Sequence, residues 1–200
     1  MRVFSYIVVH DNGFAPNPFH GVCSLACCKP GIRAAAEVGD LVVGLARGGG
    51  SVIYAMQVDR VVTFAEYWSL PEFLSRRPGQ RGVAQVGDSI YEPIADGFRQ
   101  APSVHSNPDG SEHAGNKQRD LRSRRVLLAK RFSYMGRNAV ALPSPLSFLK
   151  IGRGHRCRFS ASQIRDVLAW FGGLPEGLLG TPAMWAESAE DQGGCESHRA

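Results

Sequence analysis

The sequence predicts an α+β domain in which short helices flank a mixed set of strands. Three observations carry this expectation. β-Branched and aromatic runs recur at RVFSYIVV (2–9), DLVVGLA (40–46), SVIYAMQVDRVVTF (51–64) and within DLRSRRVLLAKRFSYMGRNAVALP (120–143). One strong helical period stands near the C-terminus, at FSASQIRDVLAWF. The 200 residues, 44% hydrophobic and 20% charged, suffice for one sizeable core.

Taken in order, RVFSYIVV reads as a buried first strand, and DNGFAPNPF as a loop whose prolines and asparagines forbid regular pairing. Pro30 and Gly31 punctuate GVCSLACCKP, after which IRAAAEVGD holds a short helix stopped by Gly39. The next two runs are joined by RGGGS, which suits a hairpin. Thr63 and Glu66 have capping-box spacing for a helix over TFAEYWS, and Pro71 ends or interrupts it. From Pro78 to about Gln118 the chain looks irregular, a length that is usually functional or mobile. Two strands follow around MGRN. In the last helix Ile164, Val167, Leu168 and Phe171 share a face, with Ser160 or Ser162 as cap. The expected organisation is one domain over 1–182 and a flexible acidic tail over 183–200.

MRVFSYIVVHDNGF meets Asp11 too soon to make a signal peptide or a membrane span, so no membrane association is expected. Five cysteines at irregular spacing (Cys23, Cys27, Cys28, Cys157, Cys195) then suggest free thiols in a reducing cytoplasm. The net charge of +5 is unevenly spread. Between Lys117 and Arg137 stand eight Lys and Arg residues against Asp120 alone, a stripe that suits either a phosphate backbone or a solvated edge.

Four constellations carry chemistry. In GVCSLACCKP, His20, Cys23, Cys27 and Cys28 lack the separated pairs that wrap a tetrahedral zinc, so no metal is assigned. Cys27 and Cys28 suit small buried fillers, or a thiol or anion site beside Lys29, Arg33 and the helix start at Pro30. His10 and Asp11, with Phe14 and Asn17 in the proline-shaped loop, suit a base held in a cleft, or simple backbone capping. GDSIYEP supplies Asp88 and Tyr91, and HSNPDGSEH supplies His105 and His113 as acid–base or hydrogen-bonding groups. GRGHRCRF places Arg153 and His155 among glycines, where guanidinium groups can fork onto phosphate.

The order of a short helix, VGDLVVG, a glycine break and VIYAM resembles PUA-like barrels, particularly EVE and ASCH domains. That implies a PUA-like mixed β-barrel with short flanking helices. A wider resemblance rests on HDNGFAPNPF, LACCKPGIR, VGDLVVG, VIYAM, EYW, GDSIY, HS, RDL, FSYMGRNAVALP and GRGH, in that order. These motifs resemble the bacterial and phage family called nucleotide modification associated domain, type two. The resemblance implies a setting of base modification and phage–host conflict, and no reaction. It marks His10, Asp11, Phe14, Pro16, Asn17, Pro18, Cys27, Cys28, Lys29, Arg33, Asp88, Tyr91, Arg119, Asp120, Arg153 and His155 as pattern positions.

The expected function is recognition of a base, modified or plain, in a nucleotide or nucleic acid, with protein partners of a modification or defence system. The ligand would sit between the 10–18 loop, the 27–33 segment and the 88–120 segment. The rival is an enzyme acting on a nucleotide base, with Asp88, His105, His113 or Asp120 in acid–base roles and Cys27 or Cys28 as nucleophile. No Walker loop, dinucleotide fingerprint, zinc deaminase signature or G-x-S-x-G is present, so no cofactor is assigned. The discriminator is geometric: an enzyme's groups converge on one point, whereas a reader needs only a ring-sized slot.

Overall fold

The computed structural model describes residues 1–185. Its largest sheet is open. It is ordered β11 (His155–Arg156), β1 (Val3–Ile7), β3 (Leu41–Leu45), β4 (Ser51–Gln57), β9 (Phe132–Tyr134), β12 (Gly177–Leu178), with β10 (Val140–Ala141) also on β4. A second sheet is ordered β2 (Cys23–Leu25), β8 (Arg125–Ala129), β5 (Arg60–Thr63). The hairpin of β6 (Tyr91–Ile94) and β7 (Gly97–Gln100) forms a third. The α+β class therefore stands, but the strands do not close into the barrel implied by resemblance to PUA-like domains.

Two long runs expected as single strands break for the same reason. The first turns at Val58 and Asp59 and passes from the large sheet to the second, and the other turns back at Lys130 and Arg131. The corners are tied together. The Asp59 carboxylate accepts the Lys130 N–H, and the Asp59 N–H reaches the Leu128 carbonyl at 2.9 Å.

Strand alternation then builds three apolar layers. Phe4, Tyr6, Val42, Tyr54 and Met56 meet Leu25, Ile32 and Leu127 between the two sheets. Val3, Leu41, Val43 and Leu45 pack on the other face against Val167 and Phe171 of α4 (Ala161–Gly172), whose N-cap Ser160 forms a capping box with Gln163. Val126 and Leu128 of β8 face Phe64 and Tyr67 of α2 (Phe64–Ser69), where Thr63 and Glu66 close the expected box. A fully buried side chain of this size contributes roughly 1.5–3 kcal/mol.

The segment expected to be irregular contains the β6–β7 hairpin and α3 (Ala114–Asp120). The packed chain also runs past 182. Trp185 stacks on Phe19 with ring centroids 5.3 Å apart and donates from Nε1 to the Asn12 carbonyl at 2.8 Å. The rest of the expected tail, 186–200, lies outside the described residues.

Candidate active site

Cys28 sits on a turn that the chain enters at some cost. It and Lys29 are consecutive non-glycine residues in the left-handed region, with φ of 59° and 40°. Such a conformation costs on the order of 1–3 kcal/mol per residue and persists only where the surroundings hold it. Here they do. The Cys28 N–H donates to Asp120 Oδ1 at 2.8 Å, and its carbonyl accepts from Arg33 Nε at 2.8 Å. Pro30, preset for a helix, then opens α1 (Pro30–Ala35) immediately after Lys29.

This turn aims the Cys28 sulfur at a histidine. His105 Nε2 lies 3.4 Å from Cys28 Sγ, and Nδ1 lies 2.6 Å from Asp120 Oδ2. The Phe14 ring packs against the imidazole at 4.6 Å between centroids. Asn116 donates to the His105 carbonyl at 2.9 Å, tying the loop to α3. Asp120, the last residue of α3, is buried and receives the Tyr91 hydroxyl on Oδ2 at 2.9 Å. Its carboxylate is thus met by a backbone amide, a phenol and an imidazole. Cys28, His105 and Asp120 thus line up as thiol, imidazole and carboxylate, each link within hydrogen-bonding reach.

Electrostatics agree with this geometry. Burial opposes a charged His105, but hydrogen bonds to Asp120 and Cys28 and the negative charge of both outweigh it and raise the imidazole to about 9. Burial likewise opposes a charged Asp120. The His105, Cys28 amide and Tyr91 hydrogen bonds nonetheless hold its carboxyl below the usual range. The Cys27 thiol is pushed well up, first by burial and then by Asp120 and Asp88, so it is a poor nucleophile despite its adjacency.

Cys28 opens onto a cavity of about 500 Å³. His10, Lys29, Arg119 and His155 line it with Tyr6, Val8 and Ala15, and among the described residues no acidic side chain does. Lys29 is half-buried there, its Nζ 4.6 Å from the Tyr6 ring centroid and 3.3 Å from the Ile7 carbonyl, with no carboxylate partner among the described residues.

The sequence-predicted residues therefore divide. His10, Cys28, Lys29, Arg119 and His155 meet at the cavity, with Phe14, Tyr91, His105 and Asp120 behind the thiol. The others do not join them. Asp88 is fully buried, accepting Ser24 Oγ and the Tyr67 hydroxyl (2.8 Å), with Arg76 3.8 Å away. Asn17 belongs to the same network, its Nδ2 donating to the Val86 carbonyl at 2.8 Å. Asp11 accepts the Tyr134 hydroxyl and the Ala183 N–H, which places it under the C-terminal segment. His113 caps α3, its Nδ1 accepting from the Asn116 N–H at 3.2 Å. Cys27 is core, donating to the Asp88 carbonyl. Arg153 lies exposed on the loop beside His155.

Arg33, expected to face an anion, instead has a fully buried side chain that donates to four carbonyls, those of Cys28, Asp120, Ser123 and Arg125. Four of its five N–H donors are committed and the side chain is fully buried, so this guanidinium cannot present a fork to a phosphate.

Neither cysteine grouping is well prepared for a metal. Cys23 and Cys27 lie in different apolar layers, so the His20–Cys28 spacing never gathers its ligands. Ligand atoms of Cys27, His105 and Asp120 do lie within 4.8 Å of one another. Both Asp120 oxygens, however, already serve three donors, and Cys27 is held in its neutral form.

With this geometry in place, comparison of the chain with protein families gives a match to nucleotide modification associated domain 2 over residues 1–189. The chain belongs to that family. Membership in nucleotide modification associated domain 2 connects the chain with nucleotide modification systems. No curated protein and no solved structure matches the chain. No helix among the described residues is long and apolar enough to cross a membrane.

Proposed function

We propose that this member of the family is a thiol-dependent enzyme of nucleotide modification, acting by acyl transfer or hydrolysis on an amide or ester carried by a nucleotide, free or in nucleic acid. The convergence of Cys28, His105 and Asp120 on one point carries this reading. A pure base reader needs no such convergence, and the Phe14 ring is buried against His105 rather than offered for stacking.

The chemistry follows from the contacts. Asp120 fixes the Nδ1–H tautomer, leaving Nε2 to take the Cys28 proton. The sulfur attacks the carbonyl carbon, and the C–N or C–O bond breaks. His105 returns the proton to the departing amine or alcohol. Water, or a second acceptor hydroxyl or amine, then releases the acyl group from sulfur by the same proton path. The cavity's basic lining supplies the counter-charge for a nucleotide phosphate.

The test is alkylation by iodoacetamide at pH 6, mapped by peptide mass. Cys28 is expected to react ahead of the more exposed Cys157, and His105→Asn to reverse that order. Incubation with N-acyl nucleotides, N4-acetyl-dCMP and N6-acetyl-dAMP among them, is expected to leave an acyl mass on Cys28. A thiol slower than Cys157 and free of adduct would remove the proposal.

A further inference from the structure

Three cavities meet at one loop. Ile151 lines both a cavity of about 500 Å³ with Arg47 and Lys150 and one of about 330 Å³ with Arg156 and Arg158. His155 lines the latter and also the Cys28 cavity. The 151–158 segment is therefore a common wall, and among the described residues none of the three linings contains an acidic side chain.

Arg47 and Arg156 on this wall each reach a backbone carbonyl, whereas three other cations along it do not. Lys150, Arg153 and Arg158 are exposed and make no side-chain hydrogen bond or ion pair among the described residues. That contrasts with the charges of the 117–137 stripe, where Lys117, Arg125 and Arg131 are each paired with a glutamate. Gly152 and Gly154 also leave open space where a side chain would stand, so a strand can approach the backbone closely.

We infer that the loop is a phosphate track, and that the substrate is a nucleotide within a single-stranded polynucleotide, its flanking phosphates lying across Lys150, Arg153 and Arg158. This rests on the acyl-transfer reading of the Cys28 site and extends it to substrate class. One cavity of about 500 Å³ holds a single nucleotide, and a lone nucleotide would leave the cations outside it without purpose. A duplex would have to expel its base to reach the buried-edge thiol.

The experiment uses the full chain as Cys28→Ser, with fluorescent twelve-nucleotide single strands of DNA and of RNA, the matching DNA duplex, and dCMP as competitor, over a salt series. At least one single strand is expected to bind tenfold or more tightly than dCMP and the duplex, with affinity falling steeply as salt rises. Lys150→Glu, Arg153→Glu and Arg158→Glu combined should weaken it at least tenfold. The same three changes in the chain retaining Cys28 should leave the pH 6 alkylation rate unchanged. Binding of both strands no tighter than dCMP, a flat salt response, equal duplex binding, or an indifferent triple variant would each overturn the track. None of these outcomes bears on the thiol's reactivity, so the two proposals fail separately.

Discussion

The imidazole of His105 donates to a buried carboxylate: its Nδ1 is 2.6 Å from Oδ2 of Asp120. The pair couples folding to pH. His105 is raised to about 9 in the folded chain from an ordinary value near 6.5. Its contribution is therefore full below about 6.5 and is lost as pH rises through about 9. Asp120 is depressed, so its contribution is present above the usual carboxylate range and is lost as pH falls through its lowered value. Urea unfolding of wild type and His105→Asn at pH 6 and pH 9.5 should show the variant's deficit shrinking by about 2–3 kcal/mol at the higher pH. The buried thiols of Cys23 and Cys27 also favour unfolding in alkali, and taking the difference between proteins cancels them.

Asp120→Asn separates orientation from base strength. An amide at this position can still accept the Cys28 N–H, but its nitrogen would face His105 Nδ1 and drive the proton to Nε2. The base would then point its lone pair away from sulfur. Cys28 alkylation at pH 6 should fall at least tenfold while circular dichroism stays near that of wild type. An unchanged rate would show that Asp120 serves the fold alone.

The parts of this site differ in how far the sequence exposes them. Capping spacing at Thr63 and Ser160 and apolar alternation in the first strands were legible because each depends on neighbours within a few residues. Cys28, His105 and Asp120 were each recognisable as chemistry-bearing, yet their convergence spans 92 residues and depends on a left-handed turn and a short helix inside a segment that looked irregular. Asp88 misled because an acid in a polar stretch looks the same whether it faces solvent or a buried arginine. Arg33 misled likewise: its place beside a helix start suggested an anion, whereas four carbonyls needed donors. Part of the basic stripe is met by glutamates distant in sequence, Arg125 by Glu37 and Arg131 by Glu176, which the local charge run could not show.

Asp88→Ala tests the buried network apart from the thiol. Removing the carboxylate leaves Arg76 buried without its countercharge and the Tyr67 hydroxyl without its acceptor. A loss on the order of 3–5 kcal/mol is expected in urea unfolding. In the folded population at low temperature, the Cys28 alkylation rate should stay within twofold. A selective loss of reactivity with little loss of stability would instead assign Asp88 to the site.

Arg33 acts through the residues it holds. Its guanidinium joins the carbonyl of Cys28 to that of Asp120 and to the chain beyond, so it fixes the distance between the thiol turn and the end of α3. Lysine in its place keeps the charge but cannot fork to four acceptors. Arg33→Lys should still fold, with a lower Tm, and should slow Cys28 alkylation at pH 6 more than it changes alkylation of Cys157 in the same sample. Arg33→Met should lower Tm further, since it leaves the same carbonyls buried without any donor. The pH profile distinguishes positioning from mere destabilisation. If Arg33 positions the turn, the alkaline limb near pH 9 set by His105 should weaken in Arg33→Lys, because the thiol no longer sits against Nε2. A profile that keeps its shape while only Tm falls would confine Arg33 to the fold.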